Sequence, residues 1–97
     1  MFARIGTWRG TPAELERWIV RAREEVKPSI SRDAGLTAVY WLVDRPSGTG
    51  MIVTLWESRE AMEASERARA ARQAATAAAT GTVVTTDRYE VVDWLTT

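Results

Sequence analysis

The sequence predicts an α+β fold in which strands and helices follow one another in the order β-α-β-β-α-β. Three features of the chain support this prediction. A helix-start motif between Thr11 and Glu14 follows the first strand-like segment, and the apolar residues 50–56 run directly into a second helix start at Ser58. Turn-forming residues at 44–49 join the two middle strand-like segments in a hairpin. A length of 97 residues is typical of one domain, which we assign to residues 1–97.

The first strand is predicted over residues 2–9. Its alternation places Phe2, Arg4, Gly6 and Trp8 on one face. A glycine inside a strand indicates either a β-bulge or a close approach by another part of the molecule. Gly6 is therefore expected to mark one or the other.

The first helix has a complete set of start signals. Thr11 is the expected N-cap, Pro12 occupies the first helical position, and Glu14 completes a capping box. Pro28 is expected to end this helix or to begin a separate short turn through Asp33. One apolar stripe runs along the helix and consists of Leu15, Trp18, Ile19, Ala22 and Val26.

The second helix is predicted to begin at the N-cap Ser58, with Glu60 in the first turn to complement the helix dipole. Gly81 is its expected end. Its inner stripe is predicted to be made of small residues, which either allow close packing on the sheet or leave a volume between large neighbours. The small residues are Ala61, Ala64, Ala68, Ala71, Ala75 and Ala78, and the large neighbours are Trp18, Trp41 and Trp56.

The middle strands are predicted over residues 36–43 and 50–56, and the last strand over residues 88–95. The order is then the split βαβ arrangement of ferredoxin-like folds, a four-stranded antiparallel sheet with helices on one face. The other face carries too many apolar side chains to remain in water, so we expect a homodimer through the sheet face. The apolar set is drawn from Leu36, Ala38, Tyr40, Leu42, Met51, Val53 and Leu55.

The composition excludes several classes of function. Cysteine, histidine and asparagine are all absent, which removes disulfides, Cys/His zinc sites and an imidazole base, and we expect no metal. Thirteen acidic and thirteen basic side chains cancel, so neither nucleic acid nor an anionic membrane is an expected partner. No segment approaches ~18 consecutive apolar residues and no signal peptide is visible, so we expect a cytoplasmic protein.

Motifs along nearly the whole chain resemble the antibiotic biosynthesis monooxygenase family of dimeric α/β barrels. Their order and spacing carry the resemblance more than any single motif does. The matching residues are Glu14 and Leu15 in the first helix, Trp56, Glu57 and Ser58 after the third strand, Glu60, Ala61 and Met62 in the second helix, and residues 89–92 in the last strand.

The resemblance implies a ligand pocket between the sheet and the helices of each subunit, with Trp56 as a wall of that pocket. Many family members have a histidine nine residues after this tryptophan, where this chain has Ser65. Members that degrade haem have an asparagine in the first strand, where this chain has Gly6. Both departures argue against haem degradation, and no cofactor is expected.

The candidate substrate-binding residues each have a structural alternative. Arg4 points into the pocket or lies at the sheet edge with its charge in water. Tyr40 and Tyr89 donate hydrogen bonds to a ligand or are core tyrosines, and Arg69 and Arg72 flank the pocket mouth or are solvated helix charges. The full candidate set is Arg4, Gly6, Trp8, Tyr40, Trp56, Ser65 and Arg72, whereas Trp18 is expected in the core and no catalytic residue is identified.

The leading functional hypothesis is a cofactor-independent monooxygenase that acts on a small aromatic or polyketide-like molecule. In this chemistry the substrate supplies the electrons, while the protein favours its deprotonated form and excludes water. Because the chain has no histidine, the base is a carboxylate, a tyrosinate, water or the substrate's own acidity. The alternatives are a cyclase or isomerase, and a non-catalytic dimer that binds a small ligand.

Overall fold

The computed structural model describes residues 1–80 and 82–97, and the side chains of residues 78–84 are not described. Its elements occur in the predicted order, with additional breaks inside both helical segments. They are β1 (Phe2–Arg9), α1 (Pro12–Arg21), a π-helical turn (Ala22–Val26), α2 (Lys27–Ile30), β2 (Leu36–Asp44), β3 (Thr49–Trp56), α3 (Arg59–Ala64), α4 (Glu66–Thr80) and β4 (Thr82–Glu90).

The four strands form one antiparallel sheet in the order β2-β3-β1-β4, which confirms the predicted ferredoxin-like α+β fold. The pairing register fixes which side chains share a face. Gly6 lies opposite Ile52, which lies opposite Trp41, and this row faces the helices. The adjacent row, in which Val53 pairs with Ile5 and with Tyr40, therefore faces away from them.

The start of α1 follows its sequence signals. The hydroxyl of Thr11 accepts a hydrogen bond from the backbone N–H of Glu14 at 3.2 Å, and the carboxylate of Glu14 accepts from the N–H of Thr11 at 2.9 Å. This is the predicted capping box.

The first helical segment does not end at Pro28. It passes through the π-helical turn, in which the N–H of Lys27 donates to the carbonyl of Ala22, five residues back. Pro28 lies in the first turn of α2, close to the second of the two expectations, that it begins a short separate segment. The wider turn lets the chain remain helical up to Ile30.

The second helical segment is divided at Ser65, which the sequence analysis did not predict. The hydroxyl of Ser65 donates to the carbonyl of Met62 at 2.7 Å, and such local bonds compete with regular helix geometry. α3 is capped as predicted, because the N–H of Ala61 donates to the hydroxyl of Ser58 at 3.1 Å.

The alanine row of this segment was predicted on the wrong face. Its members in α3 and α4 are mostly exposed, and the inward stripe is instead Met62, Ser65, Arg69 and Thr76. Both rows have helical spacing, so periodicity alone did not distinguish them. Ala64, Ala68, Ala71 and Ala75 are exposed and Ala61 is half-buried, while the side chain of Ala78 and the whole of Gly81 lie outside the described residues.

The last strand lies earlier in the chain than predicted. β4 ends at Glu90, which pairs with Phe2, the first residue of β1. Beyond this point β1 offers no further strand residues for pairing, so residues 91–97 are not in a strand. Val92 and Trp94 in this segment are exposed by 90% and 66%.

The core between sheet and helices is centred on two stacked tryptophans. Trp8 from β1 and Trp18 from α1 are buried, with ring centroids 6.0 Å apart and an interplanar angle of 20°. Gly50 permits this packing, because a Cβ there would lie 2.8 Å from Cζ3 of Trp18. The expectation that Trp18 belongs to the core is confirmed.

The opposite face of the sheet is apolar, as predicted. Tyr40, Leu42 and Tyr89 are exposed large side chains on this face. Across the described ranges, no helix has the length and apolar character needed to cross a membrane.

Candidate functional site

A cleft of about 110 Å³ lies between the sheet and the helices. Its floor is the helix-facing side of β1 and β3, where Gly6 contributes no side chain between Arg4 and Trp8. A Cβ on Gly6 would lie 3.2 Å from Cγ2 of Ile52, so any larger residue would fill part of the floor. The cleft therefore depends on Gly6 for its depth.

One end of the cleft is aromatic and apolar. Trp8, Trp18 and Trp41 line it together with Val26 of the π-helical turn and Ile30 of α2. The indole Nε1 of Trp8 is buried and makes no hydrogen bond to any described residue. This surface suits the flat face of an aromatic molecule.

The remaining wall is rich in arginine. Four guanidinium groups line the cleft, whereas no aspartate or glutamate is present among the described lining residues. They belong to Arg4, Arg21, Arg69 and Arg72.

Two of these arginines have carboxylate partners of their own. Arg72 donates to Asp33 at 2.9 Å, and both side chains are largely buried. Arg21 forms an ion pair with Glu25 four residues later and donates from Nε to the hydroxyl of Thr76 at 3.0 Å. These contacts connect α4 to α1 and to the segment that follows α2.

The other two share a single carboxylate, Glu66. Its oxygens accept from Arg4 at 3.2 Å and from Arg69 at 2.9 Å, and they also accept two bonds from Arg88, at 2.8 and 2.9 Å. The hydrogen bonds from Arg88 are the largest cause that lowers the pKa of Glu66 to about 2; burial opposes this effect, and Arg69 and Arg4 lower the pKa further. Glu66 is therefore ionised at neutral pH.

Arg4 is the most buried of the charged groups, with 3% of the residue exposed. Its Nη1 donates to the carbonyl of Met62 at 3.3 Å, to Ser65 Oγ at 3.0 Å and to Glu66 at 3.2 Å. Burial lowers the pKa of Arg4 from its usual value, and Glu66 opposes that effect. Arg4 thus lies beside the cleft and not in water at the sheet edge, and its role in binding a substrate stays a prediction.

Trp56 does not form a wall of the cleft, contrary to expectation. It is fully buried, and the guanidinium of Arg4 lies over its ring with Cζ 5.2 Å from the centroid. Its Nε1 donates to Thr54 Oγ1 at 2.9 Å, and that hydroxyl donates to the carbonyl of Arg4 at 3.2 Å. The ring of Trp56 thus packs against the guanidinium of Arg4. Arg4 lines the cleft and Trp56 does not.

The other candidates divide between the two faces of the sheet. Gly6, Trp8 and Arg72 line the cleft, as does Arg4. Ser65 is buried beside Arg4 and is not among the lining residues. Tyr40 is 55% exposed and lies on the opposite face, because its strand position pairs with Val53 and not with the cleft row, so its expected place in the pocket is wrong.

Three arginines of the cleft differ from what the sequence analysis favoured or were not predicted at all. Arg69 and Arg72 are not solvated helix charges, since both line the cleft and are mostly buried. Arg21 was not considered at all. The polar residues Ser65, Arg69, Arg72 and Thr76 recur every three or four positions, but the alanine row has the same spacing, so this pattern alone does not identify the inner face of α4.

No group of three or more acidic, cysteine or histidine side chains that could hold a metal ion occurs in the part of the chain that the structure describes. The polar groups that the cleft offers to a ligand are guanidinium donors and neutral groups such as Thr7, Gln73 and Thr86. The described lining of the cleft holds no carboxylate, imidazole or phenol that could act as a base.

A family model matches residues 1–77, and that family is antibiotic biosynthesis monooxygenase. The chain is also 35% identical over 65 residues to Rv2558, an uncharacterised protein of Mycobacterium tuberculosis, a match that covers 67% of this chain and 28% of the relative. The chain therefore spans well under two thirds of the length of this curated relative.

Solved structures share the fold over almost the whole chain. The monooxygenase from the gene ActVA-Orf6 of Streptomyces coelicolor, in complex with nanaomycin D, has a TM-score of 0.72 at 17% identity, with 99% of this chain and 92% of that chain covered. A mutant of SnoaB, a cofactor-independent oxygenase from Streptomyces nogalater, has a TM-score of 0.65 at 17% identity, covering 97% and 93%. Rv0793 of Mycobacterium tuberculosis has a TM-score of 0.74 at 13% identity, covering 98% of both chains.

Proposed function

The chain belongs to the antibiotic biosynthesis monooxygenase family, and from this we propose that it is a cofactor-independent oxygenase whose substrate is a small aromatic or polyketide-type molecule. One observation carries the proposal. The cleft joins an aromatic surface at Trp8 and Trp18 to a row of guanidinium groups, which is the combination that an electron-rich aromatic anion requires.

The proposed reaction needs no external reductant. A substrate CH₂ group flanked by aromatic rings loses a proton, and its carbanion or enolate transfers electrons to dioxygen. One oxygen atom becomes a carbonyl oxygen on that carbon, and the other leaves as water with the two hydrogens of the CH₂ group. All four electrons that reduce dioxygen come from the substrate carbon.

The protein contributes by stabilising the anion. Four guanidinium groups line the cleft, and a guanidinium near the substrate oxygen lowers the free energy of the enolate relative to the neutral form. The apolar end of the cleft excludes water, which strengthens this electrostatic effect. Catalysis by this route depends on the charge and the dryness of the cleft.

Proton removal follows from the same geometry. The described lining contains no carboxylate, and Glu66 is a weak base because its pKa is about 2. The proton therefore leaves to water, or the substrate enters the cleft already ionised, and the guanidinium groups hold the resulting charge.

The lack of a base among the described lining residues also favours a second candidate, a dimer that binds a small ligand without converting it. Catalysis of oxygen transfer distinguishes the two functions. The residues of the cleft do not support the cyclase or isomerase alternative, because moving a proton within a substrate needs an acid and a base within hydrogen-bonding distance of that substrate.

Oxygen consumption by the purified protein tests the proposal. We expect anthrones and hydroquinones to give uptake above the spontaneous rate without added metal or flavin. With ¹⁸O₂ and an anthrone, one labelled atom should enter the product and one should enter water. Binding of the same compounds without uptake would replace the oxygenase by the ligand-binding candidate.

We further propose that the protein is a cytoplasmic homodimer in which the apolar sheet faces of two copies meet. The exposed Tyr40, Leu42 and Tyr89 support this arrangement, since a free monomer would leave them in water. The assignment of residues 1–97 to a single domain is part of the same proposal.

A further inference from the structure

Arg4, Arg69 and Arg88 share the one carboxylate of Glu66. The positive charge that this leaves at the cleft indicates that the ligand is an anion. We propose that the substrate is an aromatic carboxylate whose anionic group binds beside Arg4 and Arg69, while its ring lies over Gly6 against Trp8. The inference names the substrate class for the oxygenase proposed above and rests on that function for the reaction, although the binding itself is independent of it.

The first argument is the charge balance around the cleft. Arg21 pairs with Glu25 and Arg72 with Asp33, one cation to one anion in each case. Arg4 and Arg69, in contrast, share the single carboxylate of Glu66 among the described residues, and that carboxylate also accepts two bonds from Arg88, at 2.8 and 2.9 Å.

Arg88 itself lies away from the cleft, in an open depression that it shares with Glu63 and Glu90. The acidic groups that act on Arg88 are Glu66 and the adjacent Asp87. Arg4 and Arg69 together are left with less than one full negative charge. A ligand with one negative charge restores the balance.

The second argument is the hydrogen-bonding capacity that these two side chains retain. Arg4 bonds described residues through Nη1 alone, and Arg69 through Nε and Nη1, the latter to Gln73 and, at 3.4 Å, to Thr86. The remaining nitrogens of both guanidinium groups make no hydrogen bond to the described part of the chain. A carboxylate matches a guanidinium fork in shape and charge. Arg4 retains such a pair of donors, Nε and Nη2, and Arg69 retains Nη2, and both side chains line this end of the cleft.

The third argument is the space between the charged and aromatic ends. Arg4 and Trp8 are four residues apart on one face of β1, so their Cα atoms are separated by roughly 13 Å at the usual strand rise. Gly6 lies between them without a side chain. The cleft volume of about 110 Å³ is of the size that encloses a single ring, so a larger aromatic system extends out of it.

A matched pair of ligands tests the inference by isothermal titration calorimetry at pH 7. 2-Naphthoate and 2-naphthamide have the same rings and nearly the same shape, but only the first is charged. We expect the naphthoate to bind at least about tenfold more tightly, the effect of a hydrogen bond to a charged group. Equal dissociation constants, or no measurable binding of either compound, would overturn the inference.

Variants on α4 locate the anion site. Arg69→Gln should weaken naphthoate binding about tenfold and leave naphthamide binding unchanged. Arg67→Gln removes the same charge from an exposed position two residues away and should change neither. An equal loss in the two variants would show a general charge effect and contradict the assignment to Arg69. Thermal unfolding verifies that both variants fold. If either does not, the comparison of naphthoate with naphthamide on the wild-type protein still tests the inference.

The result is separable from the proposed reaction. Naphthoate has neither an acidic CH₂ group nor a hydroquinone, so its binding does not depend on oxygen chemistry. Selective binding without oxygen uptake from any anthrone would retain the carboxylate site and remove the oxygenase. Uptake together with equal binding of acid and amide would do the reverse.

Discussion

The guanidinium of Arg4 lies over the indole of Trp56, with Cζ 5.2 Å from the ring centroid, and this contact separates the tryptophan from the cleft. A cation above an aromatic face is stabilised by the ring quadrupole, more so when water is excluded. The pair therefore fixes a positive charge at the cleft floor. The predictions below follow from this charged floor and from the packing around it.

Replacing Arg4 should cost more stability than its single ion pair suggests. Arg4→Met removes the donor for Met62, Ser65 and Glu66 as well as the contact with Trp56. We expect a loss of about 3 kcal/mol in the free energy of unfolding, typical of breaking a buried charged network. Urea denaturation measures this, and the exposed Arg9→Met is the control. Equal losses in the two variants would show that the network contributes nothing specific.

Gly50→Ala should destabilise the protein by about 1–3 kcal/mol, because the new methyl group overpacks the core. The Cβ would lie 2.8 Å from Cζ3 of Trp18, whereas one on Gly6 would meet Ile52 at 3.2 Å. The midpoint temperature of thermal unfolding should thus be lower for Gly50→Ala than for Gly6→Ala. The reverse order would mean that Trp18 can move away from the sheet at little cost.

Acid should weaken the fold through Glu66. Its pKa falls from 4.5 to about 2 in the folded protein, so the ionised form is favoured by folding. The resulting stabilisation, about 3 kcal/mol at most, is fully present above pH 4.5 and is lost as the pH falls towards 2.

Unfolding free energies measured between pH 6 and pH 2 check this prediction. Glu66→Gln should flatten the pH dependence over this window, whereas Glu24→Gln at an exposed position should not. If Glu66→Gln retains the full acid sensitivity of the wild type, another carboxylate is responsible.

A charge on the open sheet face should disrupt the proposed dimer. Leu42 is 47% exposed on this face, and Val43, 41% exposed, follows it on the other face of β2. We expect Leu42→Glu to halve the mass measured by light scattering, because an unpaired carboxylate is costly in an apolar interface. Val43→Glu should remain dimeric. A dimeric Leu42→Glu, or a monomeric wild type, would contradict the proposed interface.

Features with local causes were predictable from the sequence. The capping box of Thr11 and Glu14 and the N-cap Ser58 involve residues three positions apart, and both occur where predicted. The order of the strands followed from apolar runs and turn residues. The end of β4 was not predictable in this way, because it is set by the first residue of β1, the strand with which β4 pairs.

The inner face of α4 shows the limit most clearly. Alanine and arginine recur there with the same helical period, and the more apolar residue was the natural choice for the inside. Arg69 turns inward because it lies beside Glu66 and Gln73, and Arg72 because Asp33 lies across the cleft. Only the folded chain brings Asp33 to that place, so the inward position of Arg72 is not encoded locally.

The position of Trp56 had a similar cause. The family resemblance implied a pocket wall, but the adjacent Arg4 covers the ring. A sequence pattern does not show which of two neighbouring side chains lines a cleft and which is covered by the other.

The central claim is that the cleft between sheet and helices is the site of oxygen transfer. Gln73→Trp would fill this cleft from α4, whereas Ala74→Trp adds the same side chain at an exposed position of the same helix. Oxygen uptake with the best anthrone of the panel should fall at least about tenfold in Gln73→Trp, a barrier increase of about 1.4 kcal/mol or more, and persist in Ala74→Trp. Undiminished uptake by a folded Gln73→Trp variant would place the reaction elsewhere and contradict the account.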